Sequence, residues 1–457
     1  MKDIDVLYFY EHVDRELDVA CAIKAVAEQQ FGLTVEIEQH PYGELLSDLT
    51  RFRPRIVALP NLYNSNVPYA LEWPEASYVN LMWEQIFYRG NAKAKLPRGD
   101  FALHHVWHHA WGDFSRFQLC EQGVPGDHVF VNGNPTYVLY TEPYRRYYNQ
   151  RTVLAEKYGL DPSRRWVFFP ENYNWAFYNE AQLQLFVEGG QSPADIQQMS
   201  EFCLRSFDEV ARWCYALAQT GAVELIVRPR PSTPLDLFRS VMQRSLAALP
   251  QRLRLIKDES IREWIIASDV VVSSYSTSLI EAAVAGKPVY MLEPIPLLEQ
   301  LYMAWHDFTP RLRTAEEFKA VGLNREAAAP DARLREWGRA AMMPRGDPIR
   351  GLAEFFSRLI RDGSLRLPPF RRDLLYLPPV RGLPQPALFE YHKLYRAYQR
   401  FRRKLTAVKV QPSFTYEKDV IAAGEVQQRI ERWRHVVAAS PEQDTLLAES
   451  QILGVKA

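Results

Sequence analysis

Residues 271–294 read VVSSYSTSLIEAAVAGKPVYMLEP: an apolar strand, a hydroxyl-rich turn, a short helix of small residues, Gly-Lys-Pro, and a second apolar strand. Strand, turn, helix and strand in that order form the unit of a parallel sheet with crossover connections. Gly286 and Pro288 stop the helix ahead of the second strand. The turn carries Ser273, Ser274, Ser276, Thr277 and Ser278 where the strand ends and the helix begins. Hydroxyls and unpaired N–H groups at a helix N-terminus attract an anion, so the turn reads as a phosphate cradle. Ser276 or Thr277 reads equally as a plain helix cap. Glu281, on the first turns of the helix, is placed to hold ribose hydroxyls.

The same rhythm runs outward in both directions. Upstream lie WVFFPENY, a long helical region, VELIVRPRP and RLRLIKD. The first third alternates DVLYFY, TVEIEQH, RIVALPNL, YVNLMWEQ and DHVFVNGNP with helical stretches. At 457 residues the chain exceeds what one core supports. The expected organisation is therefore two α/β lobes, 1–150 and 151–363, followed by a Pro-rich strap and C-terminal helices over 364–457. The composition, 47% hydrophobic and 24% charged, is that of a folded rather than a disordered chain. Lys plus Arg equals Asp plus Glu at 55 each, so no overall field favours nucleic acid. The start has acidic residues on both sides of its apolar run, unlike a secretory signal, and no apolar stretch reaches membrane-spanning length. A cytoplasmic protein is expected. The four cysteines form no CxxC pair and read as buried free thiols.

The order of strand, Ser/Thr turn, helix with Glu-Ala and then Gly-Lys-Pro is similar to the nucleotide-binding half of GT-B glycosyltransferases. MWEQ at 82–85, VNGNPTYVLY at 131–140, IVRPRPS at 226–232 and SFTYEKDV at 413–420 resemble the bacterial surface-carbohydrate biosynthesis proteins. Those include capsule and O-antigen enzymes that use CMP-activated keto-sugars such as Kdo. The resemblance implies an α/β, GT-B-like fold: two Rossmann-like lobes with a cleft between them and a C-terminal helical extension. It also implies a nucleotide-sugar donor, a glycan or lipid-linked glycan acceptor, and phosphate contacts from Ser274, Ser276 and Thr277, with Ser278 beside them.

One position departs from the family. Where CMP-sugar transferases carry His-Pro, this chain has Arg230-Pro231. A guanidinium clamps phosphate and cannot act as a base near neutral pH. Arg228 is placed to act likewise, although arginines after a strand are often merely solvated. No DxD motif is present to hold a divalent ion, so no metal cofactor is expected and the CMP-sugar serves as co-substrate. In GT-B proteins the loop matching LIKDESIREW surrounds the nucleobase, which makes Lys257, Asp258, Ser260 and Ile261 candidates; Asp258 or Ser260 also reads as a helix cap.

Sugar transfer needs a carboxylate near the anomeric carbon. Glu171 in FFPENYNW comes first, because side chains at strand C-termini face the ligand. Asn172 and Tyr173 beside it are candidate sugar contacts. Glu84 in MWEQ, on the acceptor side, comes second and Asp236 third; a surface or capping role is the alternative for each. In NGNP, Gly133 permits close approach to the donor with Asn134 next to it, or the stretch is a plain turn. His104, His105, His108 and His109 in ALHHVWHHAWGD include i, i+4 pairs that would share a helical face. Zinc, an acceptor-side surface and ordinary packing are the readings, and the glutamate of HExxH is absent. The basic-aromatic stretch 393–404 suits an anionic membrane surface, or a solvated helix, so peripheral contact with the inner face of the membrane is an expectation.

The leading reading is thus a metal-independent glycosyltransferase of surface polysaccharide assembly with a CMP-keto-sugar donor. The alternatives are a UDP- or GDP-sugar transferase or a sugar-nucleotide epimerase, and a non-catalytic scaffold, which the Arg-Pro departure favours.

Overall fold

The apolar run at the start of the chain forms β1 (Lys2–Tyr10), buried without a break from Val6 to Tyr10. Continuous burial, rather than alternation, marks a parallel strand covered on both faces. β1 lies between β2 (Val35–Gln39) and β3 (Phe52–Leu59), and β4 (Ser77–Asn80), β5 (Val106–Ala110) and β6 (Val129–Val131) follow outward. The order is β2-β1-β3-β4-β5-β6 and the pairs are parallel. The computed structural model describes residues 2–40, 51–62, 69, 72–87, 95–188, 191–245, 248–324, 332–367, 382–384, 387, 391, 394, 395, 398 and 421–438. One compact unit comprises Met1–Ile86, Asn91–Tyr147 and Ala341–Ala457, the other Phe87–Gly90 and Tyr148–Ala340.

At the histidine stretch the shared helical face fails, while the reading as ordinary packing holds for His108 and His109. His104 ends the short helix Asp100–His104, and His108 and His109 lie in β5, so the i, i+4 pairs share no helical face. β5 is buried at every position between β4 and β6.

The last part of the first unit comes from the end of the chain. Helix Pro348–Arg361 and helix Ala423–Ala438 both pack on helix Asp18–Phe31. Arg429 reaches Asp18 at 3.3 Å, Arg434 reaches Glu28 at 2.8 Å, and Trp433 stacks on Tyr147 at 4.1 Å. The strap residues 368–381, the SFTYEKDV motif and, apart from Leu394, Tyr395 and Tyr398, the stretch 393–404 lie outside the described residues.

The second unit repeats the plan. β7 (Arg165–Pro170), β8 (Val223–Arg228), β9 (Leu253–Leu255), β10 (Val270–Ser273), β11 (Val289–Leu292) and β12 (Arg311–Leu312) assemble as β12-β11-β10-β7-β8-β9, again parallel. Helix Pro193–Gln219 lays Ile196, Met199, Cys203, Phe207, Val210, Cys214 and Leu217 on the sheet, the three-and-four spacing of one helical face. Each large side chain so buried contributes about 1.5–3 kcal/mol. Cys21, Cys203 and Cys214 are buried free thiols as expected; Cys120 is a free thiol but exposed. Both units are thus Rossmann-like. No helix of the described residues is long and apolar enough to cross a membrane.

Candidate functional site

In an open parallel sheet, ligands bind at the C-terminal edge, where neighbouring strands send their chains in opposite directions. In the second sheet that point lies between β7 and β10, since β8 and β9 extend to one side and β11 and β12 to the other. The residues leaving β7, β8 and β10 are Glu171-Asn172-Tyr173, Pro229-Arg230-Pro231 and Ser274-Tyr275-Ser276. Six of the sequence candidates, Glu171, Asn172, Tyr173, Arg230, Ser274 and Ser276, are therefore brought to one edge by topology alone.

Local bonds hold this edge. Glu171 donates its N–H to the Arg228 carbonyl at 2.9 Å, which ties β7 to β8. Ser273 Oγ donates to the Pro170 carbonyl at 2.5 Å, which ties β10 to β7. Arg230 Nη1 donates to Asn172 Oδ1 at 3.0 Å, across 58 residues of sequence. Glu171 is 4% exposed. Its Oε1 accepts the Tyr173 N–H, and its Oε2 has no hydrogen-bond partner. Burial pushes this carboxyl up to about 7, against the pull of the Arg230 guanidinium and of the Tyr173 and Arg230 backbone N–H groups. Ser274, 1% exposed, has an Oγ that is likewise unpartnered. Both atoms belong to residues leaving the strands at the ligand edge, which makes this edge the candidate site.

The other candidates sort around this centre. Tyr173 is buried in the core against Phe207 and Tyr275, so it serves the edge through its backbone. Arg228 is buried and its Nη2 donates to the Glu259 carbonyl at 3.2 Å. Glu259, at φ 63°, turns its carboxylate back to Lys157 and to Tyr158. Ser260 caps helix Ile261–Ala267 in a reciprocal pair with Glu263, and the exposed Asp258 accepts the Trp264 indole N–H on its carbonyl. Lys257 and Ile261 are half-buried in the same turn. In the serine turn, Ser276 Oγ accepts from Ser278 N at 3.3 Å and from Ser278 Oγ at 2.8 Å, while Thr277 makes no side-chain cap. The helix that follows, Ser278–Val284, has seven residues, with Glu281 half-buried on it. Asp236 is exposed on helix Leu235–Met242.

Glu84, Gly133 and Asn134 lie in the first unit. Arg15 Nη1 and Lys95 Nζ reach Glu84 at 3.1 and 2.6 Å. Burial works to raise this carboxyl, but Arg15 and Lys95 hold it below the usual range. Arg15 also binds Glu11 and the fully buried Glu16, at 2.8 and 2.6 Å. Sequence reasoning missed this network; the run of charges immediately after β1 was its signal. Gly133 sits at φ 114° with no room for a Cβ, which would lie 2.8 Å from Pro348 Cγ and 2.9 Å from the Met342 carbonyl. Asn134 caps helix Pro135–Val138 by accepting the Thr136 N–H at 2.9 Å.

Both β5 histidines have their two ring nitrogens engaged. His108 Nε2 donates to the Ala102 carbonyl at 2.8 Å and its Nδ1 accepts from Asn80 at 3.2 Å. His109 Nδ1 donates to the Leu81 carbonyl at 3.1 Å and its Nε2 accepts from Asn132 at 3.3 Å. Burial lowers each to about 4, so they are neutral and offer no lone pair to a metal. Among the described residues no group of three or more His, Cys, Asp or Glu is placed to hold a metal ion. A groove of about 610 Å³ opens at the other edge of the first sheet, beside Asp3, Asp5, Arg53 and Arg55. Its charges meet across strands at 3.5 and 3.4 Å, and it lies at the N-terminal ends of the strands, away from the ligand edge.

No protein-family model and no curated protein sequence matches the chain. Among solved structures it is similar to the wall teichoic acid polymerase TagF, with a TM-score of 0.52 at 8% identity over 79% of this chain and 90% of that one. It is also similar to S. aureus MnaA solved with UDP (TM-score 0.47, 12% identity, 81% and 100% covered). A third is the Neisseria meningitidis UDP-GlcNAc 2-epimerase bound to UDP-GlcNAc (0.45, 12%, 80% and 100%). These identities speak to fold alone. Two parallel-sheet lobes followed by C-terminal helices agree with the GT-B architecture.

Proposed function

We propose that the chain is an enzyme acting on a nucleotide-activated sugar in surface-carbohydrate assembly, a glycosyltransferase or a sugar-nucleotide epimerase. The observation that carries this reading is the second-sheet edge. Glu171 Oε2 and Ser274 Oγ are buried without partners at the switch point, and Arg230 stands beside the carboxyl. A guanidinium and hydroxyls at one sheet edge suit phosphate, and a carboxyl at the same edge suits proton handling at the sugar.

In this reading Arg228, Arg230 and the serine turn hold the donor phosphate, and Asn172 orients Arg230. Glu171 is the carboxyl on the donor side, and the first lobe takes the acceptor. A CMP-keto-sugar such as CMP-Kdo is the donor that the motif resemblance favours. A UDP- or GDP-sugar is the alternative, because two arginines serve a diphosphate as well as a monophosphate. Lipid-linked glycan as acceptor, and membrane contact through 393–404, belong to the same proposal.

Calorimetric titration with CMP, UDP and GDP, with and without magnesium, followed by product analysis with the matching sugar nucleotide, tests it. Metal-independent CMP binding supports the keto-sugar transferase. Preference for UDP or GDP, with transfer or epimerisation of the sugar, establishes the alternative. Absence of binding by all three overturns the enzymatic reading in favour of a scaffold.

A further inference from the structure

Glu171 is a buried carboxyl at the ligand edge of the second sheet with one oxygen left without a hydrogen bond. The Tyr173 N–H holds Oε1 and the Arg230 backbone N–H also favours the ionised form, but Oε2 makes no hydrogen bond, so the buried carboxylate stays under-solvated whereas the neutral acid is tolerated. Three titratable or charged groups face it: the Arg230 guanidinium from the turn after β8, the Cys203 thiol from helix Pro193–Gln219, and the Tyr173 phenol from its own turn. Burial pushes the thiol up to about 12 and raises the phenol well above its ordinary range, so both stay neutral near pH 7. Arg230 is then the charge that draws Glu171 toward ionisation. It is half-buried and held by Asn172 at 3.0 Å.

An anion docking on Arg230 cancels that pull and adds a negative field of its own. We propose that Glu171 is a proton-binding positioning residue: docking of a phosphate-bearing ligand at Arg230 is coupled to uptake of one proton by the Glu171 carboxyl. An O–H bond forms on Oε2 with a proton drawn from solvent, and no other bond changes. The neutral acid leaves the whole Arg230 charge to the phosphate. The inference rests on the nucleotide-site reading above.

The test is calorimetry of the full chain with CMP, UDP and GDP from about pH 6 to about pH 8.5, in two buffers of different ionisation enthalpy. Binding of the tightest nucleotide is expected to consume roughly 0.7 proton at about pH 7.5, with Kd rising toward tenfold per pH unit above about pH 7. Glu171→Gln, which keeps the neutral shape, is expected to bind about 30-fold more tightly than the wild type at about pH 8.5 and about equally at about pH 6, with no proton uptake at about pH 7.5. The second ionisation of the phosphate, near about pH 6, is common to both proteins and cancels between them. A nucleotide that binds the wild type with no proton uptake overturns the coupling and leaves the nucleotide site standing. Absence of binding at every pH overturns the site and the coupling together. If Glu171→Gln does not fold, the proton count on the wild type decides alone.

Discussion

The two sheets are both six-stranded and parallel, with different strand orders, and they end differently at their C-terminal edges. At the first sheet, the loops after β1, β3 and β4 carry Glu11, Arg15, Glu16, Asn61 and Glu84, and their charges close on one another. Arg15 binds three carboxylates at 2.6 to 3.1 Å, Asn61 reaches Glu11 at 3.3 Å, and Lys95 meets Glu84 at 2.6 Å. At the second sheet, the carboxyl and hydroxyl nearest the switch point are left without partners. A charge-rich edge is therefore not in itself one that leaves its charges unpaired. What separates the two is the pairing of their acids: Glu11, Glu16 and Glu84 meet cations, whereas Glu171 keeps one buried oxygen without a hydrogen bond.

The strongest way to break the comparison is to open the closed edge. Arg15→Met strips the shared cation from Glu11, Glu84 and the fully buried Glu16. Removing one partner of a buried charge network typically costs about 3–5 kcal/mol, and the low end is expected because Arg15 is about one-third exposed. Urea unfolding is expected to show this loss, while nucleotide affinity at the second sheet changes by less than about threefold. Equal losses of stability and affinity would show that the edges do not act separately.

The open edge carries the opposite sign. Glu171 titrates near 7 when folded against an ordinary value of 4.5. Between those values the folded chain binds more protons than the unfolded one, so its contribution is full below about 4.5 and is lost as pH rises to about 7. Glu171→Gln removes that loss. It is expected to be more stable than wild type by up to about 3 kcal/mol at about pH 8 and no more stable at about pH 4, read by unfolding at the two pH values. Glu84, held low by Arg15 and Lys95, contributes above its ordinary range and loses that contribution as pH falls.

A smaller effect is expected from Arg230→Met, which removes the guanidinium that Asn172 holds. Loss of a charge-assisted hydrogen bond to phosphate is worth about 1.5–3 kcal/mol, so nucleotide affinity should fall roughly 10- to 100-fold in calorimetry. Stability should change by less than about 1 kcal/mol, because Arg230 is only half-buried.

How far such differences could be read beforehand depends on the range of the interactions. The strand-turn-helix-strand of 271–294 is local, and its pattern of apolar runs, hydroxyls and Gly-Lys-Pro is enough to place β10, β11 and the helix between them. Glu171 was legible for the same reason: it follows an uninterrupted apolar run. β5 was not, because two histidines stand where a central strand usually carries apolar residues, and their spacing also fits a helix. Only Asn80, Asn132 and carbonyls from other segments make their burial tolerable. The closed network was equally hidden, since Arg15 and Glu84 are 69 residues apart. Return of helix Pro348–Arg361 to helix Asp18–Phe31 spans still more of the chain.

The finest test of the comparison is Glu84→Gln. Glu84 shares a sequence signal with Glu171, an acid just past a buried strand, yet it is 37% exposed and bonded to two cations. The amide keeps the shape and one acceptor oxygen, and half-exposed ion pairs are worth about 0.2–1 kcal/mol each. Arg15 retains Glu11 and Glu16, so no buried charge is orphaned. Stability is expected to fall by about 1 kcal/mol or less, with nucleotide affinity and its pH dependence unchanged. If Glu84→Gln abolishes turnover while folding and nucleotide binding persist, the paired carboxylate acts in the reaction after all. The contrast between a closed edge and the proposed nucleotide edge would then give way to two functional edges, one for each substrate.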